Sequence, residues 1–199
     1  MKARLSARAS DADSLAMRTC TISRRLLVLG AALLLTAAPR LATADSAVGR
    51  ERVDWLQPTG GPYPRLQKGE LVWIKVSLGR QRVDIMNGPR SIYTMVASSG
   101  LDQPADDRTP EGTFYIQRER GLSFYNAKEG EGARYWVSWL HHGEYLFHSV
   151  PVDKKGKIIE AEARELGRKA SHGCIRLSFS DAKWIYENIG VGTKVVIRR

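Results

Sequence analysis

Cysteine is almost absent from this chain. Cys20 and Cys174 are the only two among 199 residues, so no disulfide framework holds the fold. Spaced Cys/His pairs of the kind that enclose structural zinc are also missing, and no metal site is expected. There is no internal repeat and no low-complexity tract. No basic stripe interleaved with aromatics points to nucleic acid. Long hydrophobic runs are lacking too. The apolar run Leu26–Ala38 has 13 residues, against the roughly 20 that a membrane-spanning helix needs.

That short run has another reading. Arg18, Arg24 and Arg25 precede it and Ala42-Thr43-Ala44 follows it. A basic stretch, an apolar stretch and a small-residue cleavage site predict an export signal over 1–44. Met17–Ala44 alone would make a complete one. Ser23-Arg24-Arg25-Leu26-Leu27 hints at twin-arginine export, although an arginine pair in an ordinary basic region accounts for it. Cleavage after Ala44 would leave no membrane span and would place the protein in a periplasm, a cell wall or the medium. It would also remove Cys20, seven Lys/Arg and two Asp/Glu, taking the formal charge from +10 to +5. A modest basic excess suits an anionic cell-envelope polymer. One unpaired thiol, Cys174, would remain in an oxidising compartment, where a thiol without a use is a liability.

Residues 45–66 carry Pro58, Pro62, Pro64 and Gly60-Gly61. They read as a linker or N-terminal arm, with Trp55 and Tyr63 available to dock it. The domain proper is expected over 67–199. Strands are predicted at Glu70–Ser77, Gln81–Met86, Ser91–Ser98, Gly112–Gln117, Tyr135–Leu140, Tyr145–His148 and Thr193–Ile197. Asn87-Gly88 is a strong hairpin turn between the second and third. Helices are predicted at Ile158–Leu166, ending at Gly167, and at Asp181–Ile189, entered through Ser178-x-x-Asp181. Arg120–Ala133, rich in Gly and Glu, reads as a long surface loop. The expected fold is a mostly-β single domain of sandwich or barrel type with a few short helices.

Chemistry concentrates in Ser171-His172-Gly173-Cys174-Ile175-Arg176-Leu177. A thiol attacks carbon as the thiolate, which needs a nearby base or cation. A glycine turn at the sulfur leaves backbone N–H groups to face an oxyanion. The base must be one of four histidines. His141 and His142 sit in a turn. His148 ends a strand, a rigid place from which to aim an imidazole. His172 lies two residues from the thiol and stays a candidate.

This run resembles the active-site signature of the L,D-transpeptidases, the YkuD-type catalytic domain. Thr109-Pro110-Glu111-Gly112-Thr113-Phe114 is similar to the family's T-P-x-G-x-F segment. Phe147-His148-Ser149 resembles the strand end that carries its base. Asp181-Ala182-Lys183 and Val191–Ile197 resemble its closing helix and strand. Together they cover roughly 71–197.

The resemblance implies Cys174 as nucleophile and His148 as base. An imidazolium at His148 would stabilise the thiolate beforehand. Gly173 and Cys174 backbone would form the oxyanion site, with Ser171, His172, Arg176 and Ser149 around it. A backbone carbonyl near Ser149 or Ser171, or the Ser171 hydroxyl, would orient His148. Tyr125 and Tyr145 are substrate-binding candidates. Tyr135, Trp136 and Trp139 either line the cleft or pack. The implied reaction is acylation by a peptidoglycan tetrapeptide stem, then 3→3 cross-linking, without a cofactor. Carbapenems are the implied covalent inhibitors. Twenty-two residues, 149–170, separate His148 from Ser171, more than the family usually has. That insertion and Arg120–Ala133 are the expected lids.

Four other readings compete. His148, His172 and Cys174 could act as zinc ligands, but nothing supplies the spaced second pair of a structural site. Water as acceptor would give an L,D-carboxypeptidase. A papain-like peptidase would need a histidine after Cys174, and none follows it. A non-catalytic wall-binding module would have no need of the thiol.

Overall fold

The computed structural model describes residues 53–67 and 69–199. The expected export signal and the first part of the arm lie outside the described residues. Nine strands form one sheet: β1 (Val72–Ser77), β2 (Arg82–Asn87), β3 (Arg90–Ser98), β4 (Gly112–Tyr115), β5 (Arg120–Asn126), β6 (Glu131–Leu140), β7 (Tyr145–Ser149), β8 (Ile175–Leu177) and β9 (Lys194–Arg198). Two α-helices, α1 (Glu160–Ala163) and α2 (Phe179–Asn188), and a 3-10 turn at Ala105–Asp107 complete the regular structure of the described residues. The spatial order is β4-β9-β1-β2-β3-β8-β7-β6-β5. Residues 116–119 bind both ends of it. Ile116 N–H donates to Thr193, and Gln117 N–H donates to the Ser138 carbonyl. The sheet therefore curls on itself, and the fold is mostly β as expected.

Alternation along the strands builds the core. Ile74, Val76, Ile85, Met95, Val137, Trp139, Phe147, Ile175, Leu177, Ile185 and Ile197 are all essentially buried. Each such side chain stabilises the fold by roughly 1.5–3 kcal/mol relative to exposure. α2 closes one face with Ala182, Trp184 and Ile185. Its start matches expectation, because Ser178 Oγ accepts from Asp181 N–H at 3.1 Å.

The described part of the arm lies against this body. Phe179 N–H donates to the Trp55 carbonyl, and Ser180 Oγ donates to that of Leu56 at 2.6 Å. Val53 and Trp55 join Ile158 and Phe179 around a small second core of Val96, Val150, Ala163 and Leu166.

Arg120–Ala133 is not a loop. It is the β5–β6 hairpin, paired from Arg120↔Val137 to Asn126↔Glu131. Its glycines serve close packing as well as turning. A Cβ on Gly121 would stand 2.6 Å from Trp136 Nε1. The helix expected over Ile158–Leu166 is one turn, Glu160–Ala163, followed by turns to Gly167.

Candidate active site

β7 and β8 run parallel, with Phe147↔Ile175, His148↔Arg176 and Ser149↔Leu177 as partners. Side chains alternate faces along a strand. Phe147, Ile175 and Leu177 therefore go to the core, while His148 and Arg176 stand side by side on the other face. Cys174, two residues before Arg176, and Leu146, two before His148, share that face. All four line one cleft of about 450 Å³ with Phe124, Trp136, Glu131, Glu144, Ser171 and His172.

The thiol is held by backbone. Leu146 N–H donates to Cys174 Sγ at 3.4 Å, and Sγ–H donates to the Glu144 carbonyl at 3.5 Å. His148 Nδ1 lies 2.7 Å from the Ser149 carbonyl. A carbonyl only accepts, so Nδ1 carries the hydrogen and Nε2 keeps its lone pair. Phe124 meets the imidazole edge to face at 5.9 Å.

Ser171 closes the turn. Its hydroxyl donates to the Cys174 carbonyl at 2.5 Å and accepts from Gly173 N–H at 3.2 Å. Its hydroxyl serves local backbone, and the orienting acceptor for His148 is Ser149. The Ser149 hydroxyl also binds backbone, donating to the Val150 carbonyl. Gly173 has φ +108°, and a Cβ there would come within 2.7 Å of Tyr145 Cε1. The position excludes side chains both by backbone conformation and by contact. Thr109 pins the turn from outside, since its Oγ1 donates to the Gly173 carbonyl and accepts from Gly100 N–H, both at 2.8 Å.

Burial dominates the electrostatics. It pulls His148 down to about 4, and the Arg176 charge pulls the same way against the Ser149 carbonyl. It pushes Cys174 up to about 11, opposed by Leu146 N–H and Arg176. Burial thus works against the charged form of both groups, and so against the preformed thiolate–imidazolium expected from sequence.

Other candidates fall elsewhere. Tyr125 is exposed and faces a separate cavity with Ser123, Arg134 and Lys154, because the strand period gives the cleft to Phe124. Tyr145 lies under Gly173 and packs against Trp139 at 5.4 Å, so it supports the turn and does not line the cleft. Trp139 is core, Trp136 lines the cleft, and Tyr135 packs on Tyr186. His172 is half exposed, with Nε2 3.8 Å from Glu129 Oε2. No residue of 149–170 lines the cleft. That segment instead sends Glu162 to Arg176 Nη1 at 2.6 Å, while Glu131 takes Nη2 at 2.9 Å.

Sequence reasoning missed Leu146, Thr109, Glu131 and Glu162. Leu146 acts through backbone and leaves no mark in sequence. Thr109 lay in a noted segment without a role. The two glutamates become legible only through the pairing of distant elements. Among the described residues, no three His, Cys, Asp or Glu side chains gather as metal ligands.

Comparison with known proteins bears on family and fold. The family profile for the YkuD L,D-transpeptidase catalytic domain matches residues 71–197. A Bacillus subtilis (strain 168) protein, YciB, whose own L,D-transpeptidase assignment is provisional, is 57% identical over 145 residues. The match covers 73% of this chain and 74% of that protein. Among solved structures, an L,D-transpeptidase from Mycobacterium tuberculosis H37Rv superposes with a TM-score of 0.51 at 22% identity, over 65% of this chain and 58% of that one. LdtMt1, an LD transpeptidase in complex with imipenem, gives 0.50 at 20% identity, over 65% and 60%. These likenesses are of fold, and the chain spans under two thirds of both solved chains.

Proposed function

The chain belongs to the YkuD family of L,D-transpeptidase catalytic domains, and on that footing we propose that it is an exported peptidoglycan L,D-transpeptidase using Cys174 and His148. The observation that carries the reading is one free thiol and one buried imidazole in a single cleft, with Nδ1 tied to the Ser149 carbonyl and Nε2 left to accept a proton.

The cycle starts from a thiol and a neutral imidazole, the forms that burial favours. As a stem peptide binds, Sγ–H passes its proton to His148 Nε2 and sulfur attacks the carbonyl carbon of the third residue. With the Gly173 N–H taken by Ser171 Oγ, the Cys174 N–H is the backbone donor that would face the oxyanion. The amide C–N bond breaks, and His148 returns the proton to the leaving amine of the terminal D-residue. A thioester on Cys174 remains. The side-chain amine of a second stem attacks it, gives its proton to His148, and expels the thiolate, which His148 reprotonates. Glu129, Glu131 and Glu144 line the cleft, and their charge suits an amine-bearing acceptor. Imipenem, held by LdtMt1, would be opened by the same attack.

Mass spectrometry after incubation with a disaccharide-tetrapeptide tests this. A 3→3-linked dimer with release of the D-residue is expected. A tripeptide product alone would make the enzyme an L,D-carboxypeptidase. No product from folded protein would leave a wall-binding module.

A further inference from the structure

The proposed cycle asks His148 to become cationic beside a permanent cation. His148 and Arg176 are lateral partners on paired strands, and the Arg176 side chain is only 3% exposed, so water screens it little. Two like charges so placed oppose each other.

Two carboxylates from separate elements answer that charge. Glu131 begins β6, and Glu162 sits on α1 within the long 149–170 segment. The remaining charged groups facing the pair are Glu144 in the β6–β7 turn, Glu129 in the β5–β6 turn and the half-exposed His172. Arg176, Glu131 and Glu162 together carry one net negative charge. We infer that Glu131 and Glu162 are positioning residues for the reaction: they hold the Arg176 guanidinium and neutralise it, so that His148 can take the Cys174 proton. The inference rests on the reading of Cys174 as nucleophile and His148 as base. It gives the 149–170 segment a chemical task in place of the lid expected from sequence.

A purely structural ion pair would also weaken the fold when broken, so the test must separate the two roles. One thiol offers two reactions. Alkylation by iodoacetamide across pH reads the thiolate. Acylation by imipenem at neutral pH needs His148 to accept the proton. Removing a negative charge favours the thiolate and disfavours the imidazolium, so the two readouts should move in opposite senses. Glu131→Gln and Glu162→Gln should each lower the alkylation midpoint from about 11. Each should also slow imipenem acylation severalfold, because Arg176 is the direct strand partner of His148 and its unanswered charge costs the imidazolium more than it helps the thiolate. Glu162→Asp should restore both. Glu160→Gln, which loses only an exposed pair with Arg164, should change neither.

If both reactions slow together, or neither moves, the inference is overturned. Failure of both glutamine variants to fold by circular dichroism assigns the pair a structural role and overturns it too. If imipenem acylation survives His148→Ala, the base assignment itself fails. If it is lost there but unchanged in Glu162→Gln, only the present inference fails.

Discussion

Asp181 and Arg176, two of the buried charged side chains in this domain, are satisfied in opposite ways. The Asp181 carboxylate takes neutral donors: Thr59 Oγ1 at 2.5 Å, Thr59 N–H at 3.3 Å, Tyr63 Oη at 2.9 Å and Tyr93 Oη at 3.4 Å. Thr59 and Tyr63 belong to the arm, and Thr59 Oγ1 also accepts from Val96 N–H in β3. Burial still raises the Asp181 carboxyl above its usual range despite these donors, and burial lifts the Tyr93 phenol to about 12. Arg176, by contrast, is met by two full charges, leaves its Nε without a partner, and borders the cleft. Asp181 is absent from the cleft lining. The first network is closed and fastens the arm to α2. The second opens onto reacting atoms. A buried charge reads as functional when its surroundings remain unfinished on the side where a substrate would enter.

The sharpest way to break this comparison is at the thiol. Cys174→Ala should abolish turnover and the imipenem adduct in intact-mass spectra while leaving the circular dichroism spectrum and melting temperature unchanged. Cross-linking by the folded variant, or an adduct on another residue, would sink the assignment. Asp181→Ala should do the reverse. It orphans the hydroxyls of Thr59 and Tyr63, and should lower stability by about 3–4 kcal/mol in urea unfolding. The folded protein's imipenem acylation rate should hold. An acylation defect as large as the stability loss would merge the two regions.

A pH series comes next. His148 falls from 6.5 to about 4 on folding, so its contribution is complete above pH 6.5 and is lost as pH drops through 4. The loss should approach about 3 kcal/mol, and His148→Ala should remove this part of the acid sensitivity. Equal acid sensitivity in both proteins would refute it. The smallest effect belongs to Thr59→Val, which strips one hydroxyl from Asp181 and from Val96 N–H. A loss of about 1.5 kcal/mol is expected, or a few degrees in melting temperature, with no change at the thiol.

Legibility from sequence followed the locality of the physics. The β2–β3 hairpin was readable because Asn87-Gly88 is a local turn signal. The Ser178 cap was readable because capping spans three residues. β5 was not, because Gly121 is required by Trp136 across the strand pair, and sequence alone suggests only flexibility. β8 was hidden because three residues inside a chemical motif carry no periodicity. At the site, Cys174 and His148 were legible by chemistry and by the strand end. Tyr125 was misplaced by one residue of register, which in a strand reverses the face. The direction of the His148 and Cys174 shifts was out of reach because burial, not composition, sets it. Glu131 and Glu162 were out of reach because they meet Arg176 across separations of 45 and 14 residues.

The order of strands also governs how the sheet can be assembled. β9 lies between β4 and β1 and pairs with β1 in parallel, Ile74↔Val195 through Ser77↔Arg198. Every other element precedes it in the chain. A polypeptide delivered from its N-terminal side therefore presents β1 and β4 with open edges until β9 arrives, and open edges are templates for pairing with other chains. Contacts this distant in sequence also form slowly. The segment carrying Cys174 is delivered before the strand that seals the sheet. During that interval the nucleophile is present in a chain whose fold is still incomplete.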